Sequence, residues 1–112
     1  MDELSDLPAD PAEVDRLNDA ADATLMTSMQ QAQELALQAL NLATRLAYGA
    51  GEARARMLRG YGHYYLSEYP EALAAFGQSE ALAARLGEVA TQTRAVNGQA
   101  IILVTQGQYG AG

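Results

Sequence analysis

The chain has 112 residues, 49% of them hydrophobic, with no cysteine and a net charge of −7. That length suits one domain, and without cysteine the chain has no disulfide, thiolate metal site or cysteine nucleophile. The charge sits at one end, because residues 1–22 hold eight acids against Arg16 and the other 90 residues are neutral. A phosphate backbone would gain little here, so nucleic acid is not an expected partner. No apolar run approaches the ~18 residues that span a bilayer, and the acidic start is unlike a signal peptide. A cytoplasmic protein without membrane contact is the expectation.

Ala, Leu, Gln, Glu and Arg dominate, which favours helix throughout. Residues 1–9 mix acids, Ser and Pro and read as a flexible acidic lead-in. Asp10-Pro11-Ala12-Glu13 then marks a helix start, with Asp10 as cap, Pro11 at the first position and Glu13 placed for a capping box. This first helix is predicted to run to about Thr27, with Val14, Leu17, Ala21, Leu25 and Met26 as its apolar stripe. Leu35, Leu37, Ala39, Leu40, Leu42, Ala43 and Leu46 give helical spacing to a second, over about Met29–Tyr48. Gly49-Ala50-Gly51 reads as its stop. A third helix opens at Glu52 and runs through Met57, Leu58, Tyr61, Tyr64, Tyr65 and Leu66. After the short turn Ser67-Glu68-Tyr69, Pro70-Glu71 starts a fourth, which Gly87 ends. The fifth spans about Val89–Thr105, and Gly107 onward is expected to break it.

A shift of 40 residues lays the chain on itself. Leu42-Ala43-Thr44-Arg45-Leu46 returns as Leu82-Ala83-Ala84-Arg85-Leu86, Arg54-Ala55 as Arg94-Ala95, and Tyr69 as Tyr109; eight of 28 paired positions are identical. Such a period signals stacked units that act by presenting a surface. The expected fold is all-α: an antiparallel helical-hairpin array of five helices over residues 10–112. It holds about two and a half units, near 12–51, 52–91 and a truncated 92–112.

The stretch Gly60-Tyr61-Gly62-His63-Tyr64-Tyr65-Leu66-Ser67-Glu68-Tyr69-Pro70-Glu71-Ala72-Leu73-Ala74-Ala75-Phe76 resembles a tetratricopeptide repeat. Gly60 stands at that family's small place, Tyr69 at the turn aromatic, and Ala72 and Phe76 at the second-helix pair. Ser67 takes the turn glycine. Ala100, Gly107 and Tyr109 match in the third unit, and Ala20, Met29, Ala32 and Ala36 match more weakly in the first. Arg56 and Arg59 depart from the pattern, and the period is 40 where 34 is commonest. HEAT-type repeats share the longer period, but the Tyr-Pro-Glu-Ala-Leu turn argues against them. Small Ala20, Gly60 and Ala100 are expected to let helices approach, with Phe76 filling the space between hairpins.

The resemblance implies a non-catalytic protein-interaction or regulatory module that binds a peptide or partner protein in a concave groove. The alternative is the sensory, dimerising head of a bacterial signalling enzyme, such as a diguanylate cyclase, with its catalytic part beyond residue 112. The groove places fall on Val14, Leu17, Ala21, Thr24 and Leu25, then Arg54, Met57, Tyr61, Tyr64 and Tyr65, then Arg94, Asn97, Ile101, Val104 and Thr105. Tyrosines at such a surface suit recognition, and Arg54 with Arg94 could hold a carboxylate. The competing reading packs the tyrosines between hairpins and leaves the arginines solvated. A chaperone-type carboxylate clamp is incomplete, because the first unit offers no base.

No catalytic or cofactor set emerges. His63 is the single histidine and has no partner ligands at metal spacing. Gly60-Tyr61-Gly62 falls mid-helix with no strand before it, so it is no phosphate loop. Asp15, Asp19 and Asp22 form one acidic stripe, read as a solvated face or a dock for a basic partner. Ile101, Ile102, Leu103 and Val104 cover more than a helical turn and need cover on two sides. A homodimer through the fifth helix is therefore expected.

Overall fold

The structure, a computed structural model, describes residues 10–110, with the side chains of 108–110 outside the description. The predicted lead-in over 1–9, the last two residues and the Tyr109 ring therefore lie outside the described residues. Five helices follow in order: α1 (Pro11–Thr24), α2 (Met29–Arg45), α3 (Gly49–Tyr65), α4 (Tyr69–Leu86) and α5 (Val89–Gly110). Among the described residues there is no strand. The fold is all-α, as the periodicity predicts.

Local chemistry sets the helix starts. The Asp10 side chain accepts from Ala12 N at 2.9 Å, with Pro11 at the first position, and Ser28 accepts from Gln31 N at 3.2 Å at the head of α2. These bonds satisfy amide donors that the helix itself leaves free. Glu13 does not close a capping box; its carboxylate pairs with Arg16 one turn on.

Two boundaries differ from expectation for one reason. Gly49-Ala50-Gly51 does not stop α2 but opens α3, and the left-handed residue that ends α2 is Ala47, at φ 54°. Gly51 is needed elsewhere, because a Cβ there would lie 2.6 Å from Val14 Cγ1 and 2.7 Å from Tyr48 Cδ2. The same turn recurs at Ser67 (φ 63°) and Gly87 (φ 73°). Each closes with an amide reaching back five residues: Tyr48 N to Ala43 O at 2.8 Å, Glu68 N to His63 O at 2.8 Å and Glu88 N to Ala83 O at 2.9 Å. This is the Schellman arrangement. Gly107, one repeat beyond Ser67, makes no such turn; α5 runs on through it to Gly110.

Successive helices pack on one another, and α1 also meets α3, which meets α5; no Cα of α2 comes within 8 Å of one in α4. Hence α1, α3 and α5 form the tight layer, and α2 and α4 stand apart on the other. The 40-residue period is written into the core. Ala32, Ala36, Ala39 and Ala43 are buried in α2, and their counterparts Ala72, Phe76, Ser79 and Ala83 are buried in α4. Alanines at these places let helix backbones draw close. Phe76, fully buried, is the exception, and glycines make room for it. A Cβ on Gly60 would lie 2.6 Å from its ring, and one on Gly98 would lie 2.3 Å away. Ala100, expected as the small contact of α5, is exposed; Gly98 takes that part because it is the residue facing Phe76.

Candidate interaction surface

The tight layer brings three helices from three successive units to one face, and a charge cluster ties them together. Arg94 of α5 donates to both carboxylate oxygens of Asp22 on α1, at 2.8 and 3.1 Å. Arg54 of α3 lies 2.8 Å from Asp19 and 3.6 Å from Asp22. The planar guanidinium matches a carboxylate with two parallel bonds, which fixes geometry as well as charge. Hydrogen bonding from Arg94, helped by the charges of Arg94 and Arg54 and opposed by burial, holds the Asp22 carboxyl below its usual range. The same pairing with Asp22 pushes Arg94 up.

This arrangement bears on two readings of the sequence. Arg54 and Arg94, with side chains 29% and 41% exposed, are each paired with this chain's own acids. The acidic stripe is correspondingly engaged, for Asp15 also accepts from the Tyr48 hydroxyl at 2.9 Å. That bond, with burial and the Asp15 charge, raises the Tyr48 phenol above its usual value.

Around the cluster the tyrosines divide. Tyr61 serves both core and surface. Its ring meets Phe76 edge-on at 4.8 Å between centroids, its hydroxyl donates to Arg94 O at 2.7 Å, and Arg94 sits 5.5 Å over its face. Burial raises its phenol pKa. Tyr64 is half-buried and stacks obliquely with Tyr65 at 5.2 Å and Tyr69 at 6.0 Å. Tyr65 is exposed, as is Asn97. Met57, Val14, Ala21 and Leu25, placed in the groove by family resemblance, are buried core. The tyrosine surface is thus narrower than expected. Its accessible part is half-buried Tyr64 with exposed Tyr65 and Asn97, while Tyr61 is the ring that meets Arg94 of the charge cluster.

The predicted association segment also splits. Ile102 is fully buried in the main core, so it is not free for a second chain, while Ile101, Leu103 and Val104 are 43%, 60% and 60% exposed. Four consecutive residues point four ways around a helix, and the inward direction here is the one toward α4.

Several working residues carried no local signal. Buried Asn18 donates from Nδ2 to Gly51 O at 3.1 Å, and buried Ser79 donates to Ala53 O at 2.7 Å. Gln33 reaches Arg59 O at 3.3 Å, and a Cβ on Gly62 would lie 2.7 Å from its amide carbon. Each is a polar side chain bonding a carbonyl of a helix in another part of the chain. The period does give one hint, since Ser79 stands at the place of buried Ala39.

Two open clefts, of about 430 and 340 Å³, lie between the helices of the first and second hairpins. They are repeat copies, sharing Gln38/Gln78, Leu42/Leu82 and Arg45/Arg85, and neither includes a tyrosine. His63 Nδ1 lies 2.8 Å from Glu68 Oε1, and among the described residues no three His, Asp or Glu side chains gather as a metal site. No helix of the described residues is long and apolar enough to cross a membrane. Compared with known proteins, the chain matches no family model, no curated protein and no solved structure.

Proposed function

We propose that the chain is a non-catalytic protein-interaction module of tetratricopeptide type that acts as a homodimer and receives a peptide or partner protein on the face of α1, α3 and α5. One observation carries this reading. Ion pairs join Asp22, Arg54 and Arg94 from three successive units, and Tyr65 and Asn97 are exposed on the same two helices as the arginines. Stacked units working as one platform are what a helical array offers a partner. Because both arginines are already neutralised, the partner's acidic groups would find no free base there. An apolar anchor seated on Tyr64 and Tyr65, with a polar group reaching Asn97, fits better. A fixed aromatic pair supplies contact area with little loss of side-chain freedom.

The test is a peptide-array screen repeated with Tyr65→Ala and Asn97→Ala combined. Both side chains are exposed, so the fold is expected to survive. Hits that disappear support the platform; a hit list unchanged by the pair removes this face from consideration.

A further inference from the structure

α5 is 22 residues long and carries one charged side chain, Arg94. Its inner face is Thr91, Ala95, Gly98 and Ile102, all buried. Directly opposite runs a second line: Val89, Thr93, Val96, Ala100, Leu103 and Gly107. Every one of these is exposed, Val89 at 69% and Leu103 at 60%. Their spacing alternates four and three, which keeps one stripe along a helix.

The repeat says what such a face accepts. Forty residues earlier on α3, the counterparts of Val89, Thr93 and Ala100 are Gly49, Ala53 and Gly60, and α4 covers all three. A Cβ on Gly49 would lie 2.7 Å from Leu86, Ser79 bonds Ala53 O at 2.7 Å, and Phe76 lies against Gly60. The stripe on α5 therefore repeats the helix-accepting face of α3, and it is exposed among the described residues.

The identity of the helix that fits is set by the order of side-chain sizes. Around Gly98 the stripe is symmetric in position and opposite in bulk. Turned end for end on itself, it sets Val89 against Gly107, Thr93 against Leu103 and Val96 against Ala100. Every pair joins a larger side chain with a smaller one, and no charge falls on the seam. We infer that a second copy of this chain docks there, α5 antiparallel to α5 about a twofold axis near Gly98. The inference deepens the homodimer reading above and rests on it.

Such an interface is self-complementary, as a twofold contact must be. About 19 residues rising ~1.5 Å each give a seam ~28 Å long. Two helices so aligned bury roughly 800–1,000 Å² in all, below the ~1,200 Å² at which stable interfaces begin and in the range of weak, reversible ones. The dimer is thus expected in the micromolar range rather than the nanomolar. This seam differs from the consecutive segment Ile101–Val104, since Ile102 faces the core and Ile101 lies to one side.

Sedimentation equilibrium of the full chain, from micromolar to hundred-micromolar, is expected to give twice the 11.9 kDa monomer mass. Val96→Glu, which sets an unpaired charge on the seam twice, is expected to weaken the dimer at least ~10-fold. Ile101→Glu, off the stripe, is expected to leave it intact. Because the chain has no cysteine, the register can be read directly by oxidation. Val89→Cys combined with Gly107→Cys is expected to crosslink two chains, and Val89→Cys alone is not. A monomer at every concentration overturns both the seam and the homodimer reading. A dimer indifferent to Val96→Glu, or one crosslinked by Val89→Cys alone, overturns the antiparallel α5 seam and leaves the homodimer standing.

Discussion

α3 and α5 hold the same place in successive units but face different surroundings. α3 is enclosed on two sides. Gly51, Ala55, Leu58 and Gly62 are buried on one, and Ala53, Met57 and Gly60 on the other. α5 keeps the first set, as Thr91, Ala95, Gly98 and Ile102, and leaves the second, Thr93, Asn97 and Ala100, in solvent. Enclosure on both sides explains the composition of α3, where four glycines would otherwise weaken a helix. Small side chains there allow two neighbours to come close, and tertiary packing offsets the poor propensity. Position in the array, more than position in the repeat, decides what a residue experiences.

The sharpest way to break this contrast is to place one charge at matched positions. Ala53 is fully buried, and Ala53→Glu is expected to cost ~4 kcal/mol or more, because a carboxylate and its extra bulk would be forced into the packed contact with α4. Thr93→Glu, its repeat partner, is expected to stay within ~0.5 kcal/mol. Denaturant melts, run dilute enough to exclude association, decide the matter. Equal losses would mean that α5 is covered on both sides.

Phe76 is the element the two helices share, with Gly60 against the Cδ1–Cε1 edge of its ring and Gly98 against its tip. Phe76→Ala is expected to cost ~3–5 kcal/mol and to loosen α5 together with α3. Hydrogen exchange across both helices provides the check. Faster exchange confined to α3 would show that Gly98 does not depend on the ring.

The smallest effect concerns the tie from α1 across to α3 and α5. Asp22→Asn is expected to cost about 1 kcal/mol, since the pair is part-exposed and screened. Because the folded carboxyl titrates below its unfolded value of ~3.9, the contribution is present above about pH 4 and fades as pH falls through the folded value. A stability difference between wild type and Asp22→Asn that persists unchanged at the acid end would disconnect this carboxylate from the effect.

Helix number, the 40-residue period and the burial of Phe76 were legible because they rest on local pattern, in the apolar spacing of each helix and in the Tyr69-Pro70-Glu71-Ala72 helix start. The pairing of Asp22 with Arg54 and Arg94 was not. Those residues lie 32 and 72 positions apart, and helical periodicity reports which face a residue occupies, not which helix that face meets. The acidic stripe and the two arginines were each recognised, yet as separate features. The error at Gly49–Gly51 has another origin. Glycine serves both helix stops and close helix contacts, and Val14 and Tyr48, which decide between them, reach it through folding. Ile102 was misplaced because a run of four apolar residues does not say which one turns inward.

From α2 onward, the left-handed residues fall at 47, 67 and 87, an interval of 20. That regularity constrains how the chain can change length. One residue added within a helix rotates everything after it by ~100°, which would swing Ala72, Phe76, Ser79 and Ala83 out of the core together. The turns offer little slack, since each is closed by its own hydrogen bonds, and Ala47 and Ser67 already hold a backbone conformation that costs a non-glycine residue ~1–2 kcal/mol. Insertions and deletions tolerated between α2 and α5 are therefore expected in steps of whole half-units, so that such a chain lengthens by duplication and not by drift in its loops.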